Sequence, residues 1–206
     1  MKNNNYKINT SKYGTHMIAS DLLTGCIKVL DVGCNEGFLA QLNPDVEING
    51  IDNNEKALSI AKKYCKKVWC LDLNKNFTNK LGKYDVIILS DILEHLINPN
   101  EVLNKMTHFL KQDGEMIISL PNVANFRIRL KLLYGSFDYT EAGILDKTHF
   151  HLYTLKTARE LVSQSNLYIS KIKYSSNYFG KLIEFFPYLG ELLGYNIILQ
   201  CKKNTN

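Results

Sequence analysis

The chain reads as an α/β fold, a mostly parallel sheet with helices on both faces, on three observations. Short apolar runs ending in an acid or a glycine alternate with amphipathic helical segments, the order that joins parallel strands through crossover helices. The first run leads straight into Gly33-Cys34-Asn35-Glu36-Gly37, a glycine-bearing corner ahead of a helix. The last two runs, near Leu167 to Tyr174 and Tyr195 to Cys201, form a pair joined by a reversal.

Each element follows from its pattern. Ile18 to Leu23 suggests a leading helix. Lys28 to Val32 is a β-branched apolar run suited to a strand covered on both faces. Gly33 and Gly37 remove side chains where the backbone turns sharply, and the helix starting near Glu36 points unsatisfied N–H groups at the turn. Val46 to Asp52 reads as a second strand, and Asn54 to Cys65 as a helix with Ala57, Leu58, Ala61 and Tyr64 on one stripe. Lys67 to Leu73 and Tyr84 to Asp91 read as the third and fourth strands. Asn98-Pro99-Asn100-Glu101 predicts a helix start with a side-chain cap, a proline in the first turn and Glu101 reaching back. Val102, Leu103, Met106, Phe109 and Leu110 continue its apolar face until Asp113-Gly114 stops it. Glu115 to Leu120 is the fifth strand, closed by Pro121, and Thr154 to Asn166 an amphipathic helix before the final pair.

Composition narrows the function. A chain of 206 residues, 45% hydrophobic, suits a single domain with a sizeable core. The net charge of +5, from 25 basic and 20 acidic residues, is mild, and no Lys/Arg run forms a nucleic-acid stripe. Cys26, Cys34, Cys65, Cys70 and Cys201 form no C-x-x-C pair and are odd in number, which favours neither a disulfide scaffold nor a zinc site. No apolar stretch approaches a membrane span, and the N-terminus lacks a secretory apolar core, so a cytoplasmic location is expected.

The corner expects a polar cofactor. A dinucleotide fingerprint G-x-G-x-x-G would need glycine where Asn35 and Phe38 stand. Asp31, at the mouth of the strand, sits poorly beside a diphosphate and well beside a cation. S-adenosylmethionine (SAM) offers an ammonium, a sulfonium and no phosphate. Asp31, Gly33 and Gly37 resemble motif I of the class I SAM-dependent methyltransferases, an acid followed by G-x-G-x-G. Asn35 occupies the middle glycine, and Asn tolerates the left-handed geometry that such a turn needs. Asp52, ending the second strand, is placed to accept hydrogen bonds from two ribose hydroxyls. The resemblance implies an adenine near Asp72 and Leu73, and it matches the fourth strand, ending at Ser90, to motif IV. Its cofactor-binding set is therefore Asp31, Gly33, Cys34, Asn35, Gly37, Asp52, Asn53, Asp72, Leu73 and Ser90. It covers Lys28 to Cys201 and implies a Rossmann-like methyltransferase fold: a mostly parallel seven-stranded sheet with an antiparallel edge strand.

Two segments could supply the chemistry. In Ser90-Asp91-Ile92-Leu93-Glu94-His95-Leu96 the polar residues fall about one helical turn apart at the carboxyl end of the fourth strand, where open α/β sheets bind ligands. The segment resembles the acidic-x-x-Glu-His element of the ubiquinone-biosynthesis type O-methyltransferases, some of which use it with a divalent metal. His95 reads as a base or orienter with Glu94. Asp91, Glu94 and His95 alternatively form a partial magnesium or manganese site, but one turn gives an incomplete shell and no metal is assigned. The second segment, Leu120 to His151, is rich in polar, cationic and aromatic residues and resembles the corresponding region of methyltransferases associated with cell-surface glycan assembly. His149 is the leading candidate base, since an imidazole titrating near neutrality can take a hydroxyl proton, and His151 is its rival. Asn122, Arg127 and His151 are candidate acceptor contacts, and Arg127 with Arg129 could hold a carboxylate or phosphate.

The expectation is one SAM-dependent methyltransferase domain over 1–206, with an N-terminal cap at 1–25 and substrate or lid insertions at 121–153 and 175–194. The acceptor is a small molecule or glycan intermediate, methylated at oxygen. Aromatic residues 178–189 would suit a lid, a homodimer face, a shallow membrane contact or ordinary packing. The alternatives are a nicotinamide-dependent oxidoreductase and a non-catalytic SAM-binding interaction protein.

Overall fold

The computed structural model describes residues 11–75 and 81–204; part of the expected N-terminal cap, residues 1–10, lies outside the described residues. The strands are β1 (Lys28–Val32), β2 (Glu47–Asp52), β3 (Val68–Cys70), β4 (Tyr84–Ser90), β5 (Leu110–Pro121), β6 (Leu167–Tyr174) and β7 (Asn196–Lys203). The helices are α1 (Thr15–Asp21), α2 (Phe38–Leu42), α3 (Glu55–Ala61), α4 (Pro99–Thr107), α5 (Phe126–Leu133), α6 (Leu155–Ser163), α7 (Gly180–Phe185) and α8 (Gly190–Leu193).

The strands form one seven-stranded sheet in the order β3-β2-β1-β4-β5-β7-β6. The first five are mutually parallel, and β7 runs antiparallel between β5 and the edge strand β6, giving the mostly parallel sheet with an antiparallel element that the sequence predicts. Because β1 pairs with both β2 and β4, the connections leaving β1 and β4 diverge. That switch point opens a crevice beyond the strands' carboxyl ends.

Alternation along the strands builds two cores. Leu30, Val32, Ile87, Leu89, Met116 and Ile118 face one way, onto Leu103 and Met106 of α4 and Leu161 of α6. Val29, Val86, Ile88 and Ile117 face the other, onto Ile18 of α1, Leu39 of α2 and Leu58 of α3. Fully burying each such side chain contributes roughly 1.5–3 kcal/mol, enough to fix the register, since a one-residue slip would exchange the faces.

The stretch after β4 departs from expectation. Asn98 makes no side-chain cap, and Glu101 pairs forward with Lys105 at 2.7 Å instead of reaching back. The helix ends at Thr107, because Leu110 is already paired with Tyr84 in the sheet. Asp113-Gly114 consequently lies inside β5, where the register slips between Tyr84 and Val86, and does not terminate a helix. Thr154 caps α6 through a capping box with Thr157.

Segment 121–153 carries α5 and a small core of its own, Ile128, Ile144 and Leu145 against Val123 and Leu152. Segment 175–194 carries α7 and α8, and the Tyr13 hydroxyl donates to Glu184 of α7 at 2.7 Å. No described helix is long and apolar enough to cross a membrane.

Candidate active site

The corner after β1 is held by backbone geometry. Gly33, Asn35 and Gly37 have φ of 81°, 48° and 77°, so Asn35 adopts the left-handed conformation expected of it. The N–H groups of Gly33 and Cys34 both donate to the Ile51 carbonyl, at 2.7 and 3.0 Å. A Cβ on Gly33 would meet Ile92 Cδ1 at 2.1 Å and sit on a backbone of φ 81°, so a side chain there would displace Ile92 and strain the turn.

Asp52 locks the turn to β2. One carboxylate oxygen accepts from the Asn35 N–H at 2.8 Å and the other from the Asn54 N–H at 2.9 Å. Each oxygen keeps a second lone pair, so a ribose diol can still be bound.

A cleft of about 510 Å³ occupies the crevice, lined by Asp31, Gly33, Cys34, Asn35, Asp52 and Ser90 among others. A smaller hollow of about 120 Å³ joins it through Gly33, Asp52, Ile92 and His95, and adds Asn53, Asp72 and Leu73. Nine of the ten expected cofactor contacts thus share one connected space. Gly37 lines neither part; it caps α2 against Ala61 and Cys65.

The lining has a pronounced charge bias. Asp31, Asp52, Asp72, Asp91, Glu94, Glu141 and Asp146 face the two hollows, and no described Lys or Arg does. Burial first, and the neighbouring Asp52 second, push the Asp31 carboxyl up to about 7. Burial likewise raises Asp91, and raises Glu94 well above the ordinary carboxylate range.

The segment after β4 differs from a simple helical turn. Asp91 has φ of 53°, a left-handed position that Asp tolerates, held where its Oδ1 accepts from the Ser119 hydroxyl at 2.6 Å and from the Asn196 amide. Leu93–His95 form one 3₁₀ turn, not an α-helix. Asp91 is thereby drawn away from the expected Asp91, Glu94 and His95 grouping. Ligand atoms of Glu94, His95 and His149 lie instead within 4.8 Å of one another. Glu94 is fully buried and neither carboxylate oxygen has a hydrogen-bond partner, so this trio has the donors to hold a divalent ion.

Two non-local contacts bring His149 in. The N–H groups of Phe150 and His151 donate to the Glu94 carbonyl at 2.8 and 3.2 Å. Nδ1 of His149 lies 3.2 Å from the Ile144 carbonyl oxygen, a contact only an N–H can use, so the neutral ring keeps its lone pair on Nε2. Burial, then His95, holds His149 below the ordinary imidazole range.

The expected acceptor contacts separate. Asn122 is fully buried and outside the cleft, its amide donating to the carbonyls of Glu191 and Gly194 at 2.9 and 3.1 Å. The His151 ring turns toward the Ile97 carbonyl, 3.4 Å from Nε2, and does not line the cleft. Arg129 is pinned to the Ala124 carbonyl at 2.6 Å. Arg127 lines a second cavity next to the cleft.

Sequence reasoning missed His16, Glu141, Tyr195 and Asn196, all of which line the cleft. His16 reaches it because α1 begins three residues before the expected start. Tyr195 carried a readable signal, an aromatic residue immediately before the strand that neighbours β5.

The family described as "Methionine biosynthesis protein MetW" matches residues 14–184. The ubiquinone biosynthesis O-methyltransferase of Azoarcus sp. (strain BH72) is 28% identical over 159 residues, 68% of this chain and 67% of that protein. Its counterpart from Shewanella halifaxensis (strain HAW-EB4) is 26% identical over 153 residues, 69% of this chain and 64% of that protein. The chain thus spans about two thirds of these relatives' length, and less than half of others. Among solved structures, the magnesium protoporphyrin IX methyltransferase from Synechocystis PCC 6803 with bound SAH aligns with TM-score 0.65 at 20% identity, covering 92% of this chain and 82% of that one. A SAM-dependent methyltransferase from Clostridium acetobutylicum ATCC 824 aligns with TM-score 0.64 at 15% identity, covering 96% and 93%. The architecture is that of the class I methyltransferases.

Proposed function

The chain belongs to the MetW family, and from that premise we propose that it is a SAM-dependent methyltransferase acting on an oxygen of a small-molecule or glycan-intermediate acceptor. The observation that carries this reading is the cleft's charge. Its lining combines seven acidic side chains with no described Lys or Arg, Asp72 and Glu141 being paired with Lys75 and Lys147 outside it, a polarity that suits an ammonium and a sulfonium and opposes the diphosphate of a nicotinamide dinucleotide.

The residues present fit SAM. Asp52 retains lone pairs for the ribose, Asn53, Asp72 and Leu73 border the hollow where an adenine fits, and Asp31 faces the cationic end. When bound, SAM supplies an activated methyl group. The chain's own work is to hold an acceptor hydroxyl in line with that methyl and to take its proton. His149 is the assigned base because its Nε2 is the free lone pair of a ring kept neutral by burial. His95, edge-on beside it with its Nδ1 3.1 Å from the Thr148 hydroxyl, is assigned to positioning. Much of the rate would come from holding two reactants together in one geometry, and no step needs a metal.

A screen of hydroxyl-bearing metabolites that follows release of S-adenosylhomocysteine tests this reading. Turnover with at least one acceptor, abolished in His149→Ala while SAM affinity persists, is the expected result. SAM binding with no turnover on any acceptor would favour a non-catalytic SAM-binding protein. NAD binding without SAM binding would favour the oxidoreductase.

A further inference from the structure

Beside the cleft lies a second cavity of about 310 Å³, between α5, the loop around Gly143 and the segment before α7. Ala142, Gly143 and Tyr195 line both spaces, so the two are adjacent and share these residues as their common rim. Their chemistry is opposite. The second cavity is bordered by Arg127 and Lys131 and by no described Asp or Glu, with Phe126, Tyr178 and Phe179 among its apolar walls.

Arg127 is held in a defined pose. Its guanidinium carbon lies 4.8 Å from the Tyr178 ring centre and 5.8 Å from that of Phe126, so the aromatic faces orient the fork without consuming its N–H donors. No described carboxylate pairs with Arg127 or Lys131. Lys131 follows one turn later on the same helix, which places a second cation on the same side. An oriented, unpaired guanidinium over aromatic walls recognises an oxyanion attached to a flat or apolar body.

The junction is narrow. Gly143 has φ of 93°, and a Cβ there would approach the Tyr195 hydroxyl oxygen to 2.7 Å. Gly143 and Tyr195 thus meet as a shared rim, and an acceptor anchored in the second cavity would reach over it into the space that His149 also lines.

We propose that this second cavity is the acceptor's anchoring subsite, and that the acceptor carries a carboxylate or phosphate on an aromatic or apolar body, bound by Arg127 and Lys131 while its hydroxyl reaches over the rim of Gly143 and Tyr195 into the cleft. This rests on the methyltransferase reading and names its substrate class.

The test is calorimetry on the full chain loaded with S-adenosylhomocysteine, using 3-phenylpropionate, phenyl phosphate and the neutral 3-phenylpropanamide as probes. At least one anion should bind saturably and about tenfold or more tighter than the amide, and the tighter of the two identifies the oxyanion preferred. Arg127→Gln should lower anion affinity by a similar factor and leave that for S-adenosylhomocysteine unchanged. Equal binding of anions and amide, or anion binding unaffected in Arg127→Gln, overturns the subsite and leaves the cofactor reading standing. Failure of the wild-type chain to bind S-adenosylhomocysteine overturns both.

Discussion

The imidazole of His149 meets that of His95 edge-on, with 4.7 Å between ring centres and an interplanar angle of 71°. Two rings this close resist being charged together, and burial adds a larger penalty at His149. A base must be neutral to accept a proton, so a lowered pKa keeps His149 competent further into acid. The acid limb of kcat/KM should therefore fall below the ordinary imidazole value of about 6.5. In His95→Ala the limb should move toward that value by a fraction of a pH unit, since burial remains. An unmoved limb in that variant, or a wild-type limb above about 7, would remove His149 from the base role.

On the proposed reading, Asp31 should couple cofactor binding to pH. Its folded pKa of about 7 stands above the roughly 3.9 of an exposed Asp. Between those values the folded chain holds a proton that the unfolded chain has released. The ligand-free chain thus loses stability as pH rises through this window, and the loss is complete above it. A cation beside Asp31 favours the carboxylate, so SAM binding should release a proton below pH 7 and strengthen with pH, by at most about tenfold per unit. Asp31→Asn should raise the melting temperature near pH 7.5 while weakening SAM and flattening the profile. Calorimetry in buffers of different ionisation enthalpy reads the proton directly.

Gly33 and Asn35 should respond differently to substitution. Gly33→Ala places a methyl on Ile92 and strains a φ of 81°, which should cost about 1–3 kcal/mol and weaken SAM. Asn35→Gly keeps a φ of 48° that glycine adopts freely, so stability should change by no more than about 0.5 kcal/mol. Thermal melts with and without S-adenosylhomocysteine separate the two.

Asn122→Ala should behave as a structural lesion. Its fully buried side chain donates to the Glu191 and Gly194 carbonyls and accepts from the Ala124 N–H, and losing this set costs about 1–3 kcal/mol, although Gly194 keeps its bond from Asn125. The melting temperature should fall while the folded fraction binds S-adenosylhomocysteine normally and keeps its acceptor KM. A raised KM at unchanged stability would return Asn122 to the acceptor site.

Legibility in the sequence tracked how local each feature is. Strand runs carrying Asp31 and Asp52, and a turn with Gly33 and Asn35, are consecutive residues whose pattern fixes side-chain direction, so they mark the cleft, whereas Gly37 in the same turn caps α2 outside it. Whether a polar group faces solvent, ligand or another chain segment depends on partners far away. Asn122 is used by carbonyls 69 and 72 residues on, and Asp91 by Asn196, 105 residues on. The end of α4 was misplaced because the pairing of Leu110 with Tyr84 overrides a helical apolar stripe. His149 was legible as a residue type, but its partnership with Glu94 and His95 arises only when 148–151 folds back onto the β4 exit.

The most direct measurement is calorimetric titration of the wild-type chain and Asp52→Ala with S-adenosylhomocysteine and with NAD. The account predicts saturable binding of S-adenosylhomocysteine to the wild type, weakened about tenfold or more in Asp52→Ala, and none of NAD. Binding of NAD alone, or S-adenosylhomocysteine affinity indifferent to Asp52, would contradict it.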